Sequence, residues 1–228
     1  MLTPRWNHRL LRHHVPVVLL TAIIMAAVFF ALPAKYPSYR WSMATAYGGL
    51  ALIGATLVAG VVTVLRGRVS PVSSDLRRDI GFWAAVISVA HVVIGLQRHF
   101  HGRMWLYFIF PSKETHWSPL RTDKFGLGNY TGLIATLILF LLLALSNDAT
   151  LRWLGARRWK KLQRWNYAAL VLVLVHGVVY QVMSKRTAGW VVLFAAMSLS
   201  VIALQLAGFR HRRNQRISES TPTTPQKA

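Results

Sequence analysis

Two histidines, His91 and His176, lie deep inside long apolar stretches of the sequence. A polar side chain in such surroundings needs a partner and is functional by default. Each imidazole nitrogen with a lone pair can ligate a transition metal, so two histidines that meet could hold one metal between them. The pattern predicts a metal-containing site, provided that the fold brings both rings to one depth.

The remaining histidines fall in loops, in tails or at helix ends, and we predict that they are solvated. They are His8, His13, His14, His99, His101, His116 and His211. The chain has no cysteine, which excludes disulfides, iron–sulfur clusters and thiolate metal ligands. Because the sequence also lacks paired carboxylates, a nucleophile elbow and a zinc-ligand signature, we predict no hydrolytic chemistry and no catalytic side chain.

The elements that must position the two histidines are membrane-spanning helices. The chain is 54% hydrophobic and only 14% charged, which is too apolar for an ordinary soluble domain. Six apolar stretches can each cross about 30 Å of hydrocarbon. These predicted spans 1 to 6 are Val15–Leu32, Trp41–Leu65, Asp79–Gln97, Asn129–Leu145, Trp165–Met183 and Ala188–Gly208. We predict an all-α integral membrane protein with a six-helix bundle over residues 1–208 and a disordered basic tail over residues 209–228.

The basic residues indicate how the spans are oriented. A net charge of +21 could suggest nucleic acid, but the charges form short blocks between apolar runs, so we predict no nucleic-acid partner. Of the 27 Lys and Arg residues, 18 precede span 1, join spans 2 and 3, join spans 4 and 5, or follow span 6. Positive residues concentrate on the cytoplasmic side of a membrane. We therefore predict a multi-pass protein of the inner membrane, surrounded by lipid, with both termini in the cytoplasm.

Spans 3 and 5 run in the same direction under this topology. His91 lies 12 residues beyond the start of span 3, and His176 lies 11 residues beyond the start of span 5. At about 1.5 Å per residue, these offsets correspond to ~18 Å and ~17 Å of rise. Two imidazoles at one depth on parallel helices can ligate a single haem iron from its two faces. The spacing therefore favours a haem between spans 3 and 5.

The residues around the two histidines also favour a flat ligand. Gly81, Ser88 and Gly95 fall close to the same face of span 3 as its histidine, where they leave room that larger side chains would occupy. Gly177 and Tyr180 lie beside the histidine of span 5 in the same way. Two other interpretations stay open: a hydrogen bond between the histidines across a helix interface, and a zinc or copper site.

Cations flank the histidine-bearing spans at both ends. Arg77 and Arg78, at the cytoplasmic end of span 3, could bind an anionic flavin phosphate or an acidic donor protein, as could the basic run 157–161. The topology signal alone would also place cations there. At the outer end, Arg98 is close enough in sequence to pair with haem propionates. Three further cations near that end are Arg103, Lys185 and Arg186.

The long segment between spans 3 and 4 contains two recognisable parts. The apolar aromatic run Met104–Phe110 is too short to cross a membrane, so we predict that it lies along the outer interface over the bundle, where it could act as a lid. The glycine-rich segment Gly126–Gly132 has the wrong spacing for a dinucleotide loop, and no strand precedes it. We interpret it as a turn followed by a close-packing helix face.

Two blocks of sequence resemble the ferric reductase-like transmembrane domain superfamily. The first is Arg77–Gly81 (Arg-Arg-Asp-Ile-Gly), with His91 ten residues after the glycine. The second is Leu154–Tyr167, with Leu-Gly, Arg-Trp-Lys-Lys-Leu-Gln-Arg and a tyrosine, followed by His176. Within the superfamily the chain is most similar to the MsrQ (YedZ) family of haem-binding membrane subunits, over about residues 50–208. The chain departs from that family at Gln163, where a third histidine is typical.

The resemblance implies a six-helix haem b electron conduit with His91 and His176 as the iron ligands. It implies electron entry from a cytoplasmic flavin reductase, with FMN or a quinone as a further cofactor, and electron exit to a periplasmic acceptor protein. Since Gln163 and the long outer segment are atypical, a sibling that reduces ferric iron, oxygen or another outer partner is the other possibility. We expect an oxidoreductase component, with a haem-binding membrane sensor or carrier without electron throughput as the alternative.

Overall fold

A computed structural model of the protein describes residues 9–33, 35–67, 75–98, 100–111 and 117–220. Its helices are α1 (Val15–Ala31), α2 (Pro37–Leu65), α3 (Asp75–Arg98), α4 (Lys124–Leu145), α5 (Asp148–Gln163), α6 (Trp165–Met183) and α7 (Ala188–Ser220). A π-helical turn, Leu10–His14, leads into α1. The described residues include no strand, only one isolated bridge between Ile109 and Leu120. They therefore form an all-α structure, as predicted.

Six segments of the structure are long and apolar enough to cross a membrane, and they contain α1, α2, α3, α4, α6 and α7. The bounds of α6 agree with the predicted span, whereas α2 and α4 begin several residues earlier than predicted. The earlier start of α2 is at Pro37, which is tolerated in a first turn because no helical hydrogen bond needs its nitrogen. The α4 helix begins after Asp123, whose carboxylate accepts a hydrogen bond from Gly126 N at 2.7 Å.

The basic connection between spans 4 and 5 forms a helix of its own, α5, which the sequence did not predict. Asn147 caps its start by accepting a hydrogen bond from Thr150 N at 2.8 Å. Gly155 interrupts it with a φ of 71°, a conformation that glycine adopts without steric cost. Trp159 anchors the helix, because its ring is buried and its indole N–H donates to Leu145 O at 2.8 Å.

The bundle is organised around α2, which packs against α1, α3 and α7, while α4 packs mainly against α6 and also contacts α3. The largest buried cluster is aliphatic and joins four helices, α2, α3, α4 and α6. Ile53, at its centre, is only 2% exposed. Many large apolar side chains elsewhere point outward, which is the arrangement expected when lipid surrounds the helices.

The connections gather at two opposite ends of the bundle. At one, here called the basic end, Arg9 contacts Asp79 at 2.5 Å and Arg78 pairs with Asp148, so the turn before α1, the start of α3 and the start of α5 lie together. At the other, here called the cap end, Tyr39 at the start of α2 lies beside Arg98 at the end of α3 and beside Arg186 just before α7. The helices therefore alternate in direction, as the predicted topology requires.

Two histidines of the basic end are not simply solvated, contrary to the prediction. His13 Nδ1 lies 2.8 Å from one carboxylate oxygen of Asp79, and His14 Nε2 lies 3.4 Å from the other. Asp79 is 3% exposed, and a buried carboxylate requires such donors to offset its desolvation. His211 lies 3.1 Å from Gln215 on α7. Outside the described residues lie His8, His99 and His116, and the side chain of His101 is not described either.

The last helix, α7, continues to Ser220, although we predicted that regular structure ends at Gly208. The close approach of Gly208 to Val61 fixes the helix against α2, and the twelve residues that follow include four arginines and a glutamine, which favour a helix. Neither proline nor glycine interrupts residues 209–220. Residues 221–228 of the predicted disordered tail lie outside the described residues.

The described parts of the segment between α3 and α4, residues 100–111 and 117–123, lie at the cap end. The segment contains two short 3₁₀ turns, Phe100–Gly102 and Met104–Tyr107. Tyr107 is 2% exposed, and its hydroxyl donates to Gly95 O at 2.6 Å. The guanidinium of Arg121 lies 5.0 Å from the centroid of the Phe125 ring, a cation–π contact that ties this segment to α4. The aromatic run thus lies over the bundle, as predicted.

Candidate functional site

The two histidines singled out in the sequence meet inside the bundle. His91, on α3, and His176, on α6, have ring centroids 6.1 Å apart and ring planes that are nearly perpendicular, at 89°. Two imidazoles that shared one metal would be separated by a similar distance, since each metal–nitrogen bond of about 2 Å adds to the radius of its ring. The predicted common depth of the rings is confirmed, and their separation suits one metal between them.

Each imidazole is oriented by a hydrogen bond from its Nδ1 nitrogen. His176 Nδ1 lies 2.7 Å from Gly128 O, and His91 Nδ1 lies 3.1 Å from Ser42 O and 3.2 Å from Thr45 Oγ1. A carbonyl oxygen can only accept, so Nδ1 carries the proton in both rings and Nε2 keeps its lone pair. Metal-ligating histidines are usually oriented in this way by a second hydrogen bond.

A cavity of about 290 Å³, here called the histidine cavity, contains both rings. Its walls come mostly from α2, α3, α4 and α6, and α3 and α6 are not closely packed against each other in the described structure. The cavity is lined by Ser88, Gly95 and Gly177, as their predicted positions beside the histidines imply. Gly81 instead lines a different cavity, at the basic end. The histidine-bearing helices therefore stand apart, and their imidazoles meet across the space.

Glycines of α4 create the room that His176 occupies. A Cβ atom at Gly132 would lie 2.6 Å from His176 Nδ1, and one at Gly128 would lie 3.1 Å from both Val179 and Tyr180. Both positions belong to the glycine-rich segment Gly126–Gly132, for which we predicted a turn and a close-packing face. The close-packing face is confirmed, whereas the turn is wrong, because the whole segment lies within α4. The sequence did not identify Gly132 as a contact of His176.

Cations at the cap end face the histidine cavity. Arg98, a predicted site residue, and Arg186 both line it, and their guanidiniums lie 4.3 Å and 4.8 Å from the Tyr39 ring centroid. Burial lowers the pKa of the Arg186 guanidinium, and its Nη1 is buried without a hydrogen-bond partner. Arg103 and Lys185 are exposed instead. The cavity therefore offers two guanidiniums to an anionic group at this end.

Tyr180 connects His176 to the cap end. Its ring centroid lies 4.8 Å from that of His176, and its hydroxyl donates to Asn129 Oδ1 at 2.7 Å. Asn129 Nδ2 in turn donates to Tyr107 O at 3.0 Å. The contact between Tyr180 and His176 follows from their spacing of one helical turn, whereas Asn129 and Tyr107 join them only through the tertiary fold.

The predicted site residues Arg77 and Arg78 lie away from the histidines, at the basic end. Arg78 pairs with Asp148, and its guanidinium lies 5.9 Å from the Trp159 ring centroid. Both arginines line a second cavity of about 70 Å³, which also includes Gln163. The structure thus separates the predicted residues into two groups, with Arg98, Tyr180 and the two histidines in one and Arg77 and Arg78 in the other.

The six apolar helices define a multi-pass helical membrane protein. Comparison of the chain with protein-family models and with curated proteins gives no match. Within the described residues, no group of three or more His, Cys, Asp or Glu side chains is arranged to hold a metal ion. The two histidines therefore stand as a pair in the described part of the chain.

Proposed function

We propose that this protein is a membrane cytochrome b, which holds one haem b between His91 and His176 and conducts electrons across the bilayer. The observation that supports it most is the pairing of two imidazoles, 6.1 Å apart, whose Nδ1 atoms are engaged by backbone carbonyls. A porphyrin supplies four equatorial nitrogens, so two protein ligands complete its iron. The resemblance to the ferric reductase-like superfamily supports the same proposal.

The residues of the histidine cavity fit a haem. The cavity is open beside Gly95, where an added Cβ would meet nothing within 4 Å, and its two cations, Arg98 and Arg186, lie at the cap end. Arg98 and Arg186 would hold the two propionates, and the unpartnered Nη1 of Arg186 would gain an acceptor. His91 and His176 would ligate the iron through Nε2. When bound, the haem supplies a one-electron carrier, and the protein positions it and tunes its potential.

We further propose that electrons enter from a cytoplasmic donor at the basic end and leave to an outer acceptor protein at the cap end. A flavin reductase carrying FMN, or a quinone, would act as donor. The grouping of the basic segments at one end supports this orientation, because cations favour the cytoplasmic side of an inner membrane. Both termini would then be cytoplasmic. The function is that of an oxidoreductase component.

A visible spectrum of the purified protein tests the proposal. We expect a sharp reduced α band from a bis-histidine haem and a ratio of about one haem per chain in a pyridine haemochrome assay. A second haem would need a second pair of ligands. The residues near the depth of such a pair are Arg77, Arg78 and Gln163, and none of them offers an imidazole, so a single haem is expected.

A protein without any haem band would contradict the cytochrome assignment. A ratio near two, or two resolved midpoint potentials from one chain, would contradict the single-haem prediction. Haem that is bound but neither reduced by a cytoplasmic donor nor reoxidised from outside would favour the sensor or carrier instead.

Exposed cations of α5 provide a test of the donor side. Arg158, Lys160 and Lys161 are exposed at the basic end, so replacing all three by glutamine should slow haem reduction by a soluble acidic donor. The slowing should be larger at low salt, because exposed charges are screened over about 8 Å at physiological ionic strength. Stopped-flow reduction in inverted and right-side-out vesicles measures both the salt dependence and the sidedness.

Reduction in right-side-out vesicles but not in inverted ones would contradict the proposed orientation. Equal slowing at all salt concentrations would argue against docking on this surface.

A further inference from the structure

The second cavity, at the basic end, is here called the basic-end cavity and has a composition unlike that of the histidine cavity. Its lining includes Arg77, Arg78, Gln163 and Asn166, and it contains no acidic side chain. Its volume is about 70 Å³, which is room for a small polar group. Arg78 is also paired with Asp148, which does not line the cavity. The cavity therefore presents the guanidinium of Arg77, the Arg78–Asp148 pair and hydrogen-bond donors to whatever occupies it.

Two donors of this cavity have no acceptor within the described residues. Gln163 Nε2 and Arg78 Nε are buried, and neither has a hydrogen-bond partner. The hydroxyl of Ser146, another lining residue, already donates to Leu142 O at 2.7 Å. Asn166 Nδ2 donates to Thr56 Oγ1 at 3.2 Å. Buried donors without acceptors are costly, so the surplus favours a ligand that supplies acceptor oxygens.

The basic-end cavity lies directly beneath the histidine cavity. Ile53 and Leu139 line both, and they are 2% and 7% exposed. One layer of aliphatic side chains thus separates the two. The basic-end cavity lies at the basic ends of membrane-spanning helices. Lipid headgroups contact a membrane protein at this level.

We propose that the basic-end cavity binds a phosphate group, held by Arg77, Arg78 and the amide of Gln163. Guanidiniums and amide N–H groups donate to phosphate oxygens, and charge-assisted hydrogen bonds of this kind are the strong ones. The phosphate is either the headgroup of an anionic lipid of the adjoining leaflet or free phosphate from solution. This site does not depend on haem binding.

The test uses the full-length protein in detergent and two replacements of Gln163. Gln163→Leu removes the unpartnered donor, and Gln163→Glu keeps the shape but adds a negative charge. The matched control is Arg152→Gln, which removes an exposed cation of α5 outside the cavity. Thermal unfolding is followed against inorganic phosphate, with sodium chloride at equal ionic strength as the reference. Retention of phosphatidylglycerol against phosphatidylcholine is followed by native mass spectrometry.

We expect a saturable rise in Tm with phosphate, or selective retention of phosphatidylglycerol, in the wild type and in Arg152→Gln. Either response should weaken about tenfold in Gln163→Leu and be lost in Gln163→Glu. A phosphate response identifies the free ion as sufficient, whereas retention of the lipid alone identifies the headgroup. The proposal is overturned if neither response occurs, if both Gln163 variants respond like the wild type, or if Arg152→Gln weakens the response as much as they do.

Discussion

Replacing His91 or His176 by alanine is expected to remove the low-spin haem from the purified protein. Each imidazole would supply one ligand of the haem iron, so its loss should weaken haem binding strongly. The decrease should exceed the ~10–100-fold that is typical when a residue that only hydrogen-bonds a metal ligand is removed. The membrane insertion of the variants should be unchanged, because insertion depends on the apolar spans. Haem content per chain and the reduced α band measure the effect.

His211→Ala is the matched control, because His211 lies on the extension of α7 and contacts Gln215 rather than the histidine cavity. It should keep the wild-type spectrum. Full haem occupancy with a low-spin spectrum in His91→Ala or His176→Ala would contradict the assigned ligands.

Adding a single methyl group at Gly132 is expected to disturb haem binding nearly as strongly. The new Cβ would lie 2.6 Å from His176 Nδ1 and 2.9 Å from its Cε1, which is too close for unbonded atoms. The ring must move away from α4, and that movement breaks its 2.7 Å hydrogen bond to Gly128 O. Because such supporting bonds are worth about 10–100-fold in metal affinity, Gly132→Ala should lose haem or show a shifted midpoint potential.

Gly81→Ala provides the matched control for this prediction. Gly81 lies on α3, the helix of His91, but lines the second cavity at the basic end instead of the histidine cavity. A Cβ there would meet only Thr56, at an ordinary contact distance of 3.8 Å. Both variants place alanine in a helix, so their backbone effects are alike. Titration of the apoprotein with haem and a redox titration compare them. If Gly132→Ala and Gly81→Ala bind haem equally well and share one potential, the support of His176 by α4 has no role in ligation.

The segment at the cap end connects the two histidine-bearing helices. The chain of hydrogen bonds from Tyr180 through Asn129 to Tyr107 joins the helix of one histidine to the segment above the cavity. Tyr107 also donates to Gly95 O on the helix of the other. The segment therefore holds both histidine-bearing helices, which are not closely packed against each other, at a fixed spacing.

The sequence by itself predicted the number of long apolar helices, their alternating direction and the common depth of the two histidines. An apolar run long enough for the bilayer must become a helix, since no water satisfies its backbone groups. The rise per residue then converts sequence position into depth, so the equal depth of His91 and His176 could be predicted from their offsets alone. The bounds of α6 were predicted correctly for the same reason: Arg164 and Ser184 bracket a largely apolar run that contains no Lys, Arg, Asp or Glu.

Only the tertiary structure decided which helices face one another and how each is rotated. Ser42 and Gly128, whose carbonyls orient the imidazoles, belong to α2 and α4 and not to the histidine-bearing helices. Likewise, sequence proximity could not choose between Arg186, which lines the cavity, and the exposed Lys185 beside it. Periodicity fixes depth along one helix, but rotation and neighbours come from side-chain packing between segments that are distant in the chain.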